Sequence, residues 1–355
     1  MESVVKEFAN FIEKSADIEI PNATLHSAKL IVADCLGAIV GGMAEPEIRM
    51  LAESKGDNVF EILDGTKRVA DETISFLFGT AGTVLEMDEG HQFAKGHPGM
   101  HIFPALLAAA RNREFSGEEF LRAFIIGYDV GARIGLASNL NPNMHPHGTW
   151  GGLGAAAGLA VMNKMNAQEA SEYLNIVSSL TLATSRKTML EGATVRNSYT
   201  GVSNKMAHVG LMLLKAGFTG EQDGIKSIFG SVVSNKFDDK SAVELLGKRF
   251  EVSRNYFKLH ACCRYNHAAL DALWKIIEQH SEVKNINQIE KIEVQSYNLA
   301  AELKDQNPRN VLACKFSVPF AMATTLANLD SGVLSFTENM RTNKNIQNLC
   351  QKVTI

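Results

Sequence analysis

PNATLHSAKLIVADCLGAIVGG, residues 21–42, repeats its apolar side chains every three or four positions, at Leu25, Ala28, Ile31, Val32, Cys35, Leu36, Ile39 and Val40. That is the period of one face of an α-helix. Pro21 and Asn22 can start such a helix, and Gly41, Gly42 and Pro46 are suited to ending it. Gly37 and Gly41, four apart on one side, would let a second helix approach closely. Helical patterns come next at 73–85, 104–113, 117–137, 154–164, 167–183 and 205–216, separated by short Gly, Pro, Asn and Ser punctuation. Their richness in Ala and Gly is that of helices packed on several sides within a bundle.

After about residue 253 the character changes. A helix over 267–282 precedes a stretch in which Ile289, Lys291, Glu293 and Gln295 alternate with Glu290, Ile292, Val294 and Ser296, a strand-like pattern. A chain of 355 residues is long enough for two domains. The expectation is a mainly α protein, with a large helical bundle domain over 1–253 and a smaller α+β domain over 254–355.

The net charge is −4, with 35 basic against 39 acidic residues, so no broad basic face is available for nucleic acid. A small anionic substrate needs only a few local cations and stays open. Five cysteines, Cys35, Cys262, Cys263, Cys314 and Cys350, make an odd set without a CxxC pair, which points to a reducing, cytoplasmic setting. The start, MESVVKEFANFIEKS, is charged and amphipathic rather than a secretory signal. No stretch has the uninterrupted apolar length of a membrane span.

Of ten histidines, His91, His97, His101, His145 and His147 fall in two short stretches, MDEGHQFAKGHPGMH and NPNMHPHGTWGG. Loops of Gly, Pro and His bury an apolar face poorly and more often line a site. Glu86, Asp88 and Glu89 stand beside the first stretch, where a carboxylate can fix an imidazole tautomer or share its proton. Glu89 alone reads equally well as a solvated acidic turn. Asp88, His91, His97 and His101 match no metal-binding spacing, so no metal is expected. GLGAAA at 152–157 satisfies a dinucleotide fingerprint only superficially, because MHPHGTW before it is no buried strand. Close helix packing explains its small residues, and no cofactor is expected. Lys205 falls at the entrance of the helix expected over 205–216, and Lys258, His260, Cys263, Arg264 and His267 gather ahead of another. Cations at helix starts oppose the macrodipole unless an anion compensates, and a carboxylate substrate would do so.

Taken in order, DCLGAIVGG at 34–42, MDEG at 87–90 with HPG at 97–99, SGEEFLRAFIIGYDVGARIGLA at 116–137, HPHGTWGGLGAAAG from His145, NKMAHVG from Asn204, FKLHACCRYNHAALDA from Phe257 and KFSVPFA at 315–321 resemble the MmgE/PrpD enzymes. That family includes 2-methylcitrate dehydratase, cis-aconitate decarboxylase and iminodisuccinate epimerase, and the resemblance covers nearly the whole chain. It implies an all-helical main domain, an α+β lid domain, a homodimer, and an interdomain cleft that works without metal or nucleotide. The family's acidic position falls on Glu86, followed by Asp88, and its loop histidine on His97. The second histidine falls on His145, with His147 a close second, and the two lysines on Lys205 and Lys258. Glu86 stands where relatives carry Asp. Gly90 replaces a Thr of aconitate decarboxylase, Cys263 its second-domain histidine, and Phe320 a Tyr. These departures argue against aconitate decarboxylase itself. Relatives continue past the position of Ile355, so a shortened and even non-catalytic ligand-binding variant is one expectation.

The leading expectation is a dehydratase of the 2-methylcitrate type acting on a small di- or tricarboxylic acid. In it His145, His97, Asp88 and Lys205 carry the chemistry, with His145 removing the proton. Lys258, Glu86, His147, Cys263, Arg264 and His91 bind substrate. Epimerisation or decarboxylation of a related acid is the alternative.

Overall fold

The computed structural model describes residues 3–54, 56–111 and 113–355. Met1 and Glu2 of the charged start, and Asn112 of the helix expected over 104–113, lie outside them. The chain divides into two compact units. The first comprises 1–84, 88–185 and 197–257; the second comprises 85–87, 186–196 and 258–355. The protein is mainly helical, and among the described residues the little β-structure comprises three two-stranded pairs and two isolated bridges.

In the first unit, helix Asn22–Met43 buries Ala28, Ile31, Cys35, Ile39 and Met43. It runs through Gly41 and Gly42, and Pro46 opens the next helix, Pro46–Glu53, instead of closing this one. The close approach falls on Gly42, where a Cβ would lie 1.9 Å from the Ala81 carbonyl oxygen, whereas Gly37 faces open space. Gly42→Ala should therefore cost about 3 kcal/mol, because the obstacle is backbone and cannot swing away. Urea unfolding of the variant against Gly37→Ala, expected to be near neutral, checks it.

Contrary to the sequence expectation, this helix is long and apolar enough to cross a membrane by length and composition, with a hydropathy of 1.4. A third of that apolar window is buried in the first unit, while Leu30, Leu36 and Val40 face outward. Asp34 within it accepts the Glu89 N–H at 2.8 Å, a polar tie that a lipid-facing helix would lack.

Helix Gly117–Ala137 starts at a capping box in which Ser116 and Glu119 exchange side-chain and backbone hydrogen bonds. It packs on Gly151–Met162 at near backbone contact: a Cβ on Gly127 would meet the Gly154 oxygen at 2.7 Å, and one on Gly131 the Gly154 Cα at 3.1 Å. The GLGAAA stretch is thus a buried helix–helix seam. Helix Asp71–Val84 meets Ser198–Lys215 in the same manner through Gly79 and Gly201.

Helix Pro98–Arg111 begins six residues before Pro104, the start expected from sequence. Proline inside a helix leaves the carbonyl four residues earlier without its N–H donor. Here that carbonyl, on Met100, accepts from Asn204 Nδ2 at 3.0 Å, while Asn204 Oδ1 takes the Ala105 N–H at 3.0 Å. A side chain from a distant helix thus repairs the break.

In the second unit, helix Arg264–Gln279 packs Leu270, Leu273 and Ile277 into a core with Phe320, Ala321, Leu326, Ile346 and Leu349. The strand expected over 289–296 is realised only at Ile292–Glu293, which pairs in parallel with Val353–Thr354. Its one partner is that short, so the alternation has no ladder to extend along. Segment 186–196 is held within this unit by Asn310 Nδ2 donating to the Gly192 carbonyl at 2.8 Å and by an Arg186–Glu302 ion pair at 2.8 Å.

Candidate functional site

All five histidines of the two stretches belong to the first unit. Strand Gly90–His91 pairs antiparallel with Asn255–Tyr256, and a Cβ at Gly90 would strike the Tyr256 ring at 2.3 Å. The chain then turns, closed by the His91 N–H donating to the Gly96 carbonyl at 2.8 Å. His91 Nδ1 accepts the Ala94 N–H at 3.0 Å, and Nε2 lies 3.2 Å from Glu251 Oε2. The His91 ring is fully enclosed, and these contacts shape the loop. Burial pushes the Glu251 carboxyl up, but the His91 ring, Arg249, Arg254 and Arg133 outweigh it and hold it down at about 2. Glu251 is thus an anion at neutral pH.

The turn delivers His97 to the start of helix Pro98–Arg111. Its Nδ1 is 2.5 Å from the Glu89 carbonyl oxygen and 3.3 Å from Asp88 Oδ2. A carbonyl can only accept, so Nδ1 carries a proton, and in the neutral ring Nε2 holds the lone pair. Asp88, also buried, adds a carboxylate to the same side of the ring, which favours that tautomer.

Residues 145–148 are fastened to 182–185. His145 N–H donates to the Thr184 carbonyl at 3.1 Å, and Thr184 Oγ1 donates to the carbonyls of His145 and His147 at 2.7 and 3.0 Å. Gly148, at φ 84°, makes the turn that this requires. His145 Nδ1 accepts the His147 N–H at 3.0 Å. The neutral His145 ring therefore carries its proton on Nε2, the opposite polarity to His97.

His147 stands at the centre of the group. Its ring is edge-on to His97, His101 and His145, with centroids 4.7, 5.1 and 4.5 Å away. His101 donates from Nδ1 to the His97 carbonyl at 2.8 Å and accepts the Gly148 N–H at Nε2, 3.2 Å. It ties the two stretches together, with Trp150 stacked beside it at 5.6 Å. Tyr199 lies 6.0 Å from His145. Trp150, Tyr199 and Tyr128 are neighbours that sequence did not single out, while His101 and Glu89 were read with the first histidine stretch but given no role. Among the described residues no three or more His, Cys, Asp or Glu are grouped to hold a metal ion.

Lys205 is half-buried and two turns inside helix Ser198–Lys215, so it is not the helix-start cation expected. It makes no hydrogen bond or ion pair with the described residues.

Glu86, Lys258, Cys263 and Arg264 belong to the second unit. Glu86, at φ 56°, turns a buried carboxylate onto two buried cations: Lys258 Nζ donates to it at 3.2 Å, and Arg196 Nη1 donates to its other oxygen. Arg196, whose guanidinium also lies over the Phe316 ring at 5.1 Å, was not foreseen. Burial, with Glu86 nearby, pushes the Cys263 thiol up to about 11, which keeps it protonated and a poor nucleophile. Arg264 is the exposed first residue of its helix. His267 is buried and pushed down to about 3 by that burial and by Lys258, so it stays neutral. Phe320 is core, packed near Phe336 at 6.0 Å.

The MmgE/PrpD N-terminal domain matches residues 6–239, and the MmgE/PrpD C-terminal domain matches residues 260–355. The chain belongs to the MmgE/PrpD family. Both histidine stretches fall in the N-terminal match, and Lys258 lies just ahead of the C-terminal one. Three curated relatives of this MmgE/PrpD chain are fungal. Cis-aconitate decarboxylase-like protein oryM of Aspergillus oryzae is 22% identical over 326 residues, which is 82% of this chain and 65% of that protein. Two cis-aconitate decarboxylases of Aspergillus terreus are 20% and 21% identical, covering 94% and 99% of this chain and 74% and 78% of their own lengths. The chain thus spans about two thirds of the first relative and about three quarters of the other two.

Proposed function

We propose that this MmgE/PrpD member is a lyase that acts on a small di- or tricarboxylic acid by side-chain acid/base chemistry. The observation that carries the reading is the opposite proton polarity of two histidines packed on a third. His145 presents an Nε2–H and His97 an Nε2 lone pair. One serves as general acid and the other as general base, the reverse of the roles expected from sequence. Lys205, without a partner among the described residues, supplies a cation for a carboxylate. Within the second unit Lys258 and Arg196 form a cationic pair, held in place by Glu86.

Of the possible reactions, decarboxylation now has better support than dehydration, because all three relatives carry cis-aconitate decarboxylase names. In that reaction the C–C bond to the leaving carboxylate breaks and its electron pair moves into the adjacent unsaturated system. His145 then gives its Nε2 proton to the carbon bearing the charge. Dehydration is the second reading, favoured by the acid and base standing together: His97 would remove the proton beside a carboxylate and His145 would protonate the departing hydroxyl. Epimerisation uses the same pair with the proton returned to the opposite face.

The test is proton NMR in deuterated water with cis-aconitate, 2-methylcitrate, citrate and iminodisuccinate. Loss of carbon dioxide with one deuterium incorporated is the expected result. Loss of water or exchange alone would select the other readings, and binding without turnover would indicate a non-catalytic relative.

We further propose a cytoplasmic homodimer. Five unpaired cysteines support the reducing setting. Exposed Leu30, Leu36 and Val40, with Gly37 leaving open space beside them, give helix Asn22–Met43 an apolar outer face suited to a second copy. Sedimentation of Leu36→Glu against the parent protein tests this, and a persistent dimer would exclude that face.

A further inference from the structure

We propose that Glu89 is the positioning residue that fixes His97 and its tautomer. This rests on the dehydration reading, in which His97 is the general base. Glu89 is wholly enclosed, and it holds the His97 segment at two places. Its carbonyl accepts the His97 Nδ1 proton at 2.5 Å, and its Oε1 accepts the Gly99 N–H at 2.6 Å. Its Oε2 lies 3.0 Å from Tyr128 Oη on helix Gly117–Ala137, and its N–H is anchored on Asp34. One residue therefore ties two core helices to the ring of His97 and to the peptide just beyond it. The slot is tight: a Cβ on Gly99 would lie 2.7 Å from Glu89 Oε1, 2.8 Å from Ile31 Cγ2 and 3.0 Å from Cys35 Sγ.

The groups facing this carboxyl are Asp34 and Cys35 from helix Asn22–Met43, Asp88 from its own segment, His97 from the turn, and Tyr128, with Tyr256 beyond Gly90. No lysine or arginine among the described residues pairs with it. Burial, with Asp34 and Asp88 adding to it and the Gly99 and Tyr128 hydrogen bonds opposing it, pushes the carboxyl up to about 8. At neutral pH it is therefore mainly the acid. Ionisation above that value would place an uncompensated charge against the Asp88–His97 couple. Turnover would then fall.

Three variants and one spectrum test this. Glu89→Gln copies the uncharged acid, with its amide oxygen for Gly99 and its NH2 group for Tyr128. It should keep kcat at pH 7 within a few-fold and lose the decline near pH 8 that is expected of the parent protein. Glu89→Ala should lower kcat roughly 10²-fold with little change in KM. His97→Ala reports on the base itself. If it stays active, the reading of His97 fails whatever Glu89 does. If it is inactive while Glu89→Gln is as impaired as Glu89→Ala, or keeps the decline near pH 8, only the Glu89 proposal fails. Infrared difference spectra of parent minus Glu89→Gln decide independently of any substrate. A protonated-carboxyl C=O band at pH 7 that disappears above pH 8 is expected; a carboxylate band at pH 7 would overturn the proposal.

Discussion

Replacing His97 by alanine is expected to lower kcat about 10³-fold in an elimination, where this ring removes the proton, while leaving KM within a few-fold, since a positioned acid or base contributes roughly 10² to 10⁴. The expectation comes from how little freedom the ring has. Nδ1 is committed to the Glu89 carbonyl, with Asp88 3.3 Å away, so the reaction falls to Nε2. Asp88→Asn should cost less, because the carbonyl still holds the tautomer, and its loss should show mainly in kcat. His145→Ala is expected to fall as far as His97→Ala if carbon protonation limits the rate. The measurement is steady-state kinetics on whichever acid of the NMR panel turns over. Full activity in His97→Ala would remove this ring from the chemistry and leave His147, at the centre of the cluster, as the nearest substitute.

The largest stability effect is expected at Glu86. Its carboxylate is shared by Lys258 and Arg196, and all three side chains are at most 2% exposed. Removing one partner of a buried ionic group costs about 3–5 kcal/mol, because the remaining charges stay desolvated. Glu86→Ala should therefore lose about 4 kcal/mol in urea unfolding. Glu86→Gly should lose about 1 kcal/mol less, since glycine adopts the positive φ of this position without the Cβ penalty. A triple replacement of Glu86, Arg196 and Lys258 by apolar residues should recover most of the loss. Equal losses for the alanine and glycine variants would show that backbone strain at Glu86 is immaterial.

What was legible in the sequence was what local spacing dictates. Helix Gly117–Ala137 has the predicted ends because Ser116 and Glu119 form a capping box only three residues apart. Helix Pro98–Arg111 was read six residues short because its Pro104 is rescued by Asn204, a partner a hundred positions away in sequence that no local window includes. The gathering of His97, His145 and His147 was visible as two histidine-rich stretches. The proton polarity of the rings was not, because it is set by the Glu89 carbonyl and the His147 N–H. Glu89 resembled a solvated turn because its burial comes from Tyr128, Gly99 and Asp34 on three other segments. Arg196 carried no signal of its own, since its meaning lies in a Glu86 more than a hundred residues before it.

The chain passes from one unit to the other five times, at 84–85, 87–88, 185–186, 196–197 and 257–258. Splicing at 257–258 alone would leave Glu86 and Arg196 on a fragment without Lys258, the second cation that shares the Glu86 carboxylate. Exchange of C-terminal regions among relatives by a single recombination event is thereby penalised. In evolutionary terms the second unit cannot travel as a cassette: residues 85–87 and 186–196 must co-vary with the region from Lys258 onward. Chimaeras that swap all three segments together should survive where single-junction ones aggregate.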